Sequence, residues 1–256
     1  MKILRHAFLS LLLPLALVAC AQQDDATPAA TPAATAPASV EQPAAQAPQE
    51  LAPVAGTHYV EIADPQPYLP LNGQIEVVEV FGYTCPACAS FQPLMSAWKQ
   101  RQPDDVRVSH LAAPFGGYWQ PYAKAYYAAE ALDLADATHQ PMFDAIHRQR
   151  SLPAQGVTND ALAGFYAGHG ADATRFAQAM ESFAVSGQMR RALQFTQRTG
   201  VEATPTMIVN GKYRVVSGQD FQDVLRIVDY LVEQERAAAG AAAPAGESAE
   251  PEVEAE

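Results

Sequence analysis

Cys85 and Cys88 are separated only by Pro86 and Ala87, a spacing that allows the two sulfurs to close a small disulfide ring. They follow a β-branched run, Ile75–Phe81, and precede a segment whose apolar residues recur at helical spacing. The free N–H groups and the dipole of a helix N-terminus stabilise a thiolate on the first sulfur. We therefore predict that Cys85 is the reactive thiolate and that Cys88, one turn into the helix, is less exposed and reacts second.

The chemistry available to such a pair is thiol–disulfide exchange. A substrate thiolate attacks the oxidised pair at Cys85, a mixed disulfide forms, and a second substrate thiol displaces Cys85. The redox-active disulfide is itself the oxidant, so no other cofactor is predicted. Stabilising the Cys85 thiolate stabilises the reduced form and makes the oxidised form a stronger oxidant. Pro86, which lacks an N–H and has a fixed φ, suits the first position of the helix and holds the active-site loop of Pro86 and Ala87 rigid.

Two other uses of the cysteine pair remain as alternatives. A structural zinc site needs four ligands with characteristic spacing, but the sequence has no second cysteine pair and no paired histidines. We therefore predict no metal. A purely structural disulfide over so short a loop would restrain the unfolded chain little. In that case the protein would be a binding or chaperone-like module with an inert disulfide.

Further strands and helices are predicted on both sides of a helical block. That block, from Tyr118 to Phe183, contains Ala-rich helical stretches broken by Gly and Pro, with no strand pattern. The Asn210-Gly211 pair is the strongest hairpin signal in the chain. The elements predicted outside the block are strands over 75–81, 106–111, 206–209 and 212–216 and helices over 90–99, 186–199 and 220–235.

This order predicts an α/β fold of the thioredoxin-like class with an inserted helical subdomain. We assign residues 56–117 to the first part of the thioredoxin-like domain, residues 118–185 to the helical insertion and residues 186–236 to the second part. Cys85 and Cys88 then lie at the first strand-to-helix junction of the domain.

The chain resembles the DsbA family of periplasmic thiol oxidases over about residues 60–235. The resemblance rests on residues 81–88, which read FGYTCPAC, and on residues 201–213, which read VEATPTMIVNGKY. It implies an enzyme that introduces disulfides into reduced exported proteins and is reoxidised by a DsbB-like, quinone-linked membrane protein.

The resemblance also implies roles for three further residues. The proline matching Pro205 is cis in thioredoxin-like folds, so Thr204 and Pro205 are expected to offer their backbone to the substrate. The acid matching Glu79 is buried near the second cysteine, so Glu79 is expected to assist proton transfer at Cys88. We interpret His110, a lone histidine in a strand, as a packing or surface residue.

Two departures from the family pattern bear on the direction of the reaction. Many members have histidine where this chain has Ala87. The loss of that imidazole, which would help to stabilise the Cys85 thiolate, favours a milder oxidant. Thr204 precedes the proline as in some isomerase-type relatives. A disulfide isomerase or a reductase of the same fold is therefore the alternative. Such isomerases usually carry an N-terminal dimerisation domain, and the Ala/Pro-rich segment of this chain cannot be one. We expect a monomer.

The N-terminus resembles the export signal of a bacterial lipoprotein. Basic residues precede an apolar run, Ala7 to Ala19, that is too short for a comfortable membrane span. Residues 1–19 are predicted to be the signal peptide, with Cys20 as the lipidated residue. An ordinary cleaved signal with an incidental cysteine is the alternative. By the same resemblance, Ala21 favours the outer membrane.

The remaining terminal segments are too polar and too poor in large side chains to fold. We predict a flexible Ala/Pro-rich tether over residues 20–55 and a disordered acidic tail over residues 237–256. The formal net charge is −12. The sequence contains no basic stripe of the kind expected in a protein that binds nucleic acid. The sequence thus predicts a periplasmic domain that contacts a membrane only through its lipid anchor.

Overall fold

A computed structural model of the chain describes residues 52–242. The predicted signal peptide, the lipidation residue Cys20, the tether up to residue 51 and the tail from residue 243 lie outside the described residues. Among residues 52–242, no helix is both long enough and apolar enough to cross a membrane.

A five-stranded mixed sheet, in the order β1-β5-β4-β2-β3, forms the centre of the fold. The strands are β1 (Tyr59–Glu61), β2 (Ile75–Phe81), β3 (Val106–Ala112), β4 (Thr206–Val209) and β5 (Tyr213–Val215). β2 pairs in parallel with β3 and antiparallel with β4, and β5 joins β4 to β1 through antiparallel ladders. The cysteine pair therefore follows a central strand of the sheet.

Most of the sheet matches the sequence prediction. β2 and β4 have the predicted bounds, and Asn210 and Gly211 take positive φ in the hairpin between β4 and β5. β1 was not predicted, because a three-residue edge strand has too few residues to show a pattern. The β-branched run of β2 is buried at every position, as expected for a strand covered on both faces.

Between residues 52 and 242, seven α-helices surround the sheet. They are α1 (Pro86–Lys99), α2 (Trp119–Ala131), α3 (Ala135–Phe143), α4 (Asn159–Ala167), α5 (Ala173–Met180), α6 (Phe183–Arg198) and α7 (Phe221–Ala242), and a π-helical turn (Asp144–Arg148) continues α3. α2 to α5 form the helical block predicted between β3 and α6. α7 continues past the predicted end at Glu235 into the segment predicted as a tail, because the Ala-rich sequence there is a strong helix former.

Two cores lie against the sheet. One joins β2 to the helical insertion and contains Phe81, Tyr83 and Cys88, and the other lies under α1 and α7 and contains Trp98 and Leu231. Because Cys88 belongs to the first core, the cysteine pair is held at the contact between the α/β domain and its insertion.

Candidate active site

Cys85 is the N-cap residue of α1, and Pro86 is the first residue of the helix. The backbone N–H of Cys88 donates to the Cys85 sulfur over 3.5 Å. Both cysteines are free thiols; Cys85 is partly exposed, whereas Cys88 is fully buried. The predicted placement of the two sulfurs, one accessible at the helix N-terminus and one inside it, is confirmed.

The two thiols have opposite acidities. The pKa of Cys85 is lowered to about 5, first by a hydrogen bond from the Cys88 thiol and then by hydrogen bonds from Thr204 and from the amides of Cys88 and Ala87. Burial raises the pKa of Cys88 far above the ordinary thiol range, and its hydrogen bond to Cys85 raises it further. Near neutral pH the pair therefore holds one thiolate and one thiol.

Thr204 and Pro205 lie against the reactive sulfur. The peptide bond between them is cis, as the family resemblance implied. The Cys85 thiol, when protonated, donates to the carbonyl oxygen of Thr204 over 3.3 Å. Residues more than a hundred positions apart in the chain thus meet at the predicted site.

Glu79 is fully buried in β2, and its charge contributes to the raised pKa of Cys88. One of its oxygens, Oε2, lies 2.9 Å from Nδ1 of His110, while Oε1 has no hydrogen-bond partner in the part of the chain that the structure describes. The parallel register of β2 and β3 aligns the two residues directly. The His110 ring packs edge-on against Phe81, with centroids 6.1 Å apart, which agrees with its interpretation as a packing residue. Its contact with Glu79 was not predicted, because it depends on the register of β2 and β3.

Two histidines of the insertion that the sequence analysis missed also contact this region. His147, in the π-helical turn, lies with Nε2 at 2.7 Å from the carbonyl oxygen of Tyr83, and since a carbonyl only accepts, the ring donates. Nδ1 of His139 lies 2.9 Å from the Tyr83 hydroxyl. No spacing rule identifies either histidine, because their contacts depend on how the insertion packs on β2.

An aromatic surface lies beside the cysteine loop. The Trp119 ring packs so closely on Gly82 that a Cβ there would lie 1.9 Å from it, which explains why glycine occupies that position. Phe115 and Tyr118 flank the Trp119 ring, with centroids 5.4 Å and 6.0 Å from it. They remain 37% and 43% exposed, so the rings around Trp119 form an apolar surface near Gly82, which precedes Cys85 by three residues in the chain.

Comparison with known proteins gives one consistent result. A family model described as thioredoxin matches residues 72–230. The thiol:disulfide interchange protein DsbA of Pseudomonas aeruginosa is 39% identical over 187 residues, which is 72% of this chain and 87% of that protein. DsbA of Azotobacter vinelandii is 38% identical over 185 residues, or 72% of this chain and 85% of that protein. The crystal structure of the oxidoreductase DsbA from Xylella fastidiosa is similar with a TM-score of 0.71 and 49% identity, covering 72% of this chain and 98% of that one.

Proposed function

The chain belongs to the DsbA family of thiol:disulfide interchange proteins, and from that membership we propose that it works as an oxidase, passing its own disulfide to reduced exported proteins. It is a thiol:disulfide oxidoreductase with a thioredoxin-like fold and an inserted helical subdomain, as the sequence predicted.

The observation that supports the oxidase direction is the acidity of Cys85. A sulfur whose pKa is lowered to about 5 is an anion at neutral pH, which stabilises the reduced enzyme relative to its disulfide. The disulfide therefore tends to accept electrons from client thiols. The acidity is reached although Ala87 replaces the histidine common in the family, because the Cys88 thiol is the largest source of the stabilisation.

The exchange runs in two balanced steps. A client thiolate attacks Cys85 of the disulfide, forms a mixed disulfide and displaces Cys88, which leaves as a thiolate and takes up a proton. A second client thiolate then attacks the client sulfur of the mixed disulfide, and Cys85 leaves as the stabilised thiolate. The client gains a disulfide and the enzyme becomes the dithiol.

We assign the surrounding residues to supporting roles in these steps. Glu79, buried and electrostatically coupled to Cys88, would transfer the proton that Cys88 takes up or releases. Thr204 and Pro205 would present their backbone to the client chain, and Pro86 and Ala87 would keep the loop exposed to it. The exposed rings of Phe115 and Tyr118 would bind apolar client side chains.

The cellular setting follows from the N-terminal sequence and belongs to the same proposal. A periplasmic enzyme lipidated at Cys20, held on the outer membrane by a tether over residues 20–55, would act as a monomer. A DsbB-like, quinone-linked membrane protein would reoxidise it. An isomerase or a reductase is the alternative, and Thr204 is the residue that favours it.

Trapping of mixed disulfides tests the oxidase proposal. Cells producing Cys88→Ala should accumulate mixed disulfides between Cys85 and exported proteins, and Cys85→Ala is the matched control that should form none. Equilibration of the wild-type protein with glutathione should find its disulfide more oxidising than the glutathione couple. A disulfide that stays intact at high excess of reduced glutathione, together with no trapped client, would overturn the proposal.

A further inference from the structure

Three side chains from separate elements converge beneath the cysteine pair. Glu79 on β2, His110 on β3 and His139 on α3 each place one ligand atom so that the three atoms lie within 4.8 Å of one another. We propose that these three residues form a binding site for a divalent transition-metal ion, zinc in particular, that is separate from the redox-active cysteines. Thiol–disulfide exchange requires no metal, so this site goes beyond the proposed function.

The strongest argument is that two of the three groups are buried without a partner. Glu79 is fully buried, and its Oε1 accepts no hydrogen bond from any of residues 52–242. His139 is 4% exposed, and its Nε2 has no partner within the same range. A buried polar atom without a partner is destabilising, and such atoms are rare in native proteins. A cation bound by the Glu79 carboxylate and by Nε2 of His139 would compensate the burial of both groups.

The hydrogen bond of His139 suits a metal ligand. The ring lies inside the protein and is 4% exposed. Its Nδ1 lies 2.9 Å from the Tyr83 hydroxyl, and with the proton on Nδ1 the lone pair is on Nε2. Histidine ligands of metals are commonly held in this way, with the second ring nitrogen donating to a neighbouring group.

The contact between Glu79 and His110 also suits a shared ion. Their nearest atoms, Oε2 and Nδ1, are 2.9 Å apart. Two ligands at about 2.0 Å from a tetrahedral zinc ion are roughly 3.3 Å apart. The pair is thus close to the spacing of two ligands on one metal, and the ligand atom of His139 lies within 4.8 Å of both.

A route for the ion leads in from the surface. His110 and His139 line a cavity of about 390 Å³ together with Lys99 and Asp136. Lys99 and Asp136 pair over 3.3 Å, and the Asp136 side chain is 93% exposed, so they mark the outer end of the cavity. The cavity also has space for the water that would take the fourth coordination position.

The choice of zinc follows from the ligand set. Two imidazoles and one carboxylate, without a thiolate, are the protein ligands of several zinc sites that keep one position open. The three residues are scattered over the chain, so the spacing rules that exclude a zinc site at the cysteine pair do not apply to them.

The experiment uses the full chain with Cys20→Ala and with the Cys85–Cys88 disulfide closed, so that no thiol is available to bind metal. Zn²⁺ binding is measured by competition with a chromophoric chelator, and Co²⁺ serves as a spectroscopic substitute. One equivalent of Zn²⁺ should bind, and bound Co²⁺ should show visible d–d bands without a sulfur charge-transfer band. Glu79→Gln and His110→Gln should each weaken binding more than about a hundredfold, and Tyr83→Phe by about tenfold to a hundredfold.

His169→Ala is the matched control, because His169 is exposed and far from these ligands in the chain; it should bind Zn²⁺ as the parent protein does. Circular dichroism and the metal-free Tm establish that each variant is folded, and two independent ligand variants guard against the failure of one. The proposal is overturned if the oxidised protein binds no Zn²⁺, if both ligand variants bind like the parent, or if binding appears only after reduction and is lost in Cys88→Ser.

Discussion

Glu76 and Glu79 lie on opposite faces of the same strand, and both side chains are fully buried, but only Glu76 has partners for both of its oxygens. Glu76 accepts hydrogen bonds from the backbone amides of Tyr68 and Leu69 and from Arg107. Glu79 contacts His110 through one oxygen and leaves the other without a partner. Glu76 therefore fixes the loop that contains Tyr68 and Leu69. Glu79 keeps one oxygen available for proton transfer or for binding a ligand.

Glu76→Ala should lower the free energy of unfolding by about 3 kcal/mol, because it leaves two amides and the Arg107 guanidinium without their buried partner. Chemical denaturation of the oxidised protein measures the loss. Glu61→Ala, at an exposed position of β1, is the control and should change stability by less than about 0.5 kcal/mol. A Glu76→Ala loss as small as that of the control would contradict this structural role.

Glu79→Gln should slow the steps that protonate or deprotonate Cys88, by roughly a hundredfold if Glu79 acts as a general acid–base group. The mixed disulfide formed with a cysteine-containing test peptide is followed by rapid chemical quench. His110→Gln, which removes the partner but keeps the carboxylate, should have a smaller effect. If Glu79→Gln resolves the mixed disulfide with the test peptide at the rate of the parent protein, Glu79 has no part in proton transfer.

The thiol of Cys85 should titrate with a pKa of about 5, observed as thiolate absorbance in the reduced protein with Cys20→Ala. In Cys88→Ala the pKa of Cys85 should rise, because the Cys88 thiol is the largest contributor to its acidity. Cys88 itself should resist alkylation in the folded protein at neutral pH. Equal Cys85 pKa values in the two proteins would contradict this prediction. They would show that the helix N-terminus and Thr204 lower the pKa of Cys85 without the Cys88 thiol.

The cysteine pair, the central strand and the hairpin were predictable because each depends on residues that are neighbours in the chain. β2 carries an uninterrupted β-branched run, and Asn210-Gly211 specifies its turn locally. The contacts of Glu79 were not predictable in the same way. Glu79 lies near His110 because of the register between β2 and β3. Both residues lie near His139 because of the way α3 packs on the sheet.

The sequence also failed to predict the bounds of helix α3 and the presence of strand β1. Within the block where Gly and Pro were expected to break the helices, Pro141 lies inside α3, and the buried side chains of Met142 and Phe143 hold that helix on the core. β1 forms only because β5 offers it a partner. Neither effect leaves a local pattern in the sequence.

The stability of the reduced protein should rise as the pH increases from 5 towards 9. The pKa of Cys85 is about 5 in the folded protein and 9.0 for an ordinary thiol, so between these values the unfolded chain binds one proton more than the folded one. Stability therefore increases with pH across this range and is lost as the pH falls through the folded pKa. From pH 5 to pH 7 the gain should be on the order of 1–2 kcal/mol, reduced from the full value because the sulfur is partly exposed.

Urea unfolding of the reduced protein at a series of pH values measures this gain, and Cys85→Ser is the matched control. The serine variant keeps every other titrating group, so the difference between the two curves isolates Cys85 and should widen steadily above pH 5. The difference stops widening near pH 9, where Cys85 also loses its proton in the unfolded chain, while Cys88 is present in both proteins and cancels. Parallel curves over the whole range would mean that the Cys85 thiolate is no more stable in the folded protein than in the unfolded chain.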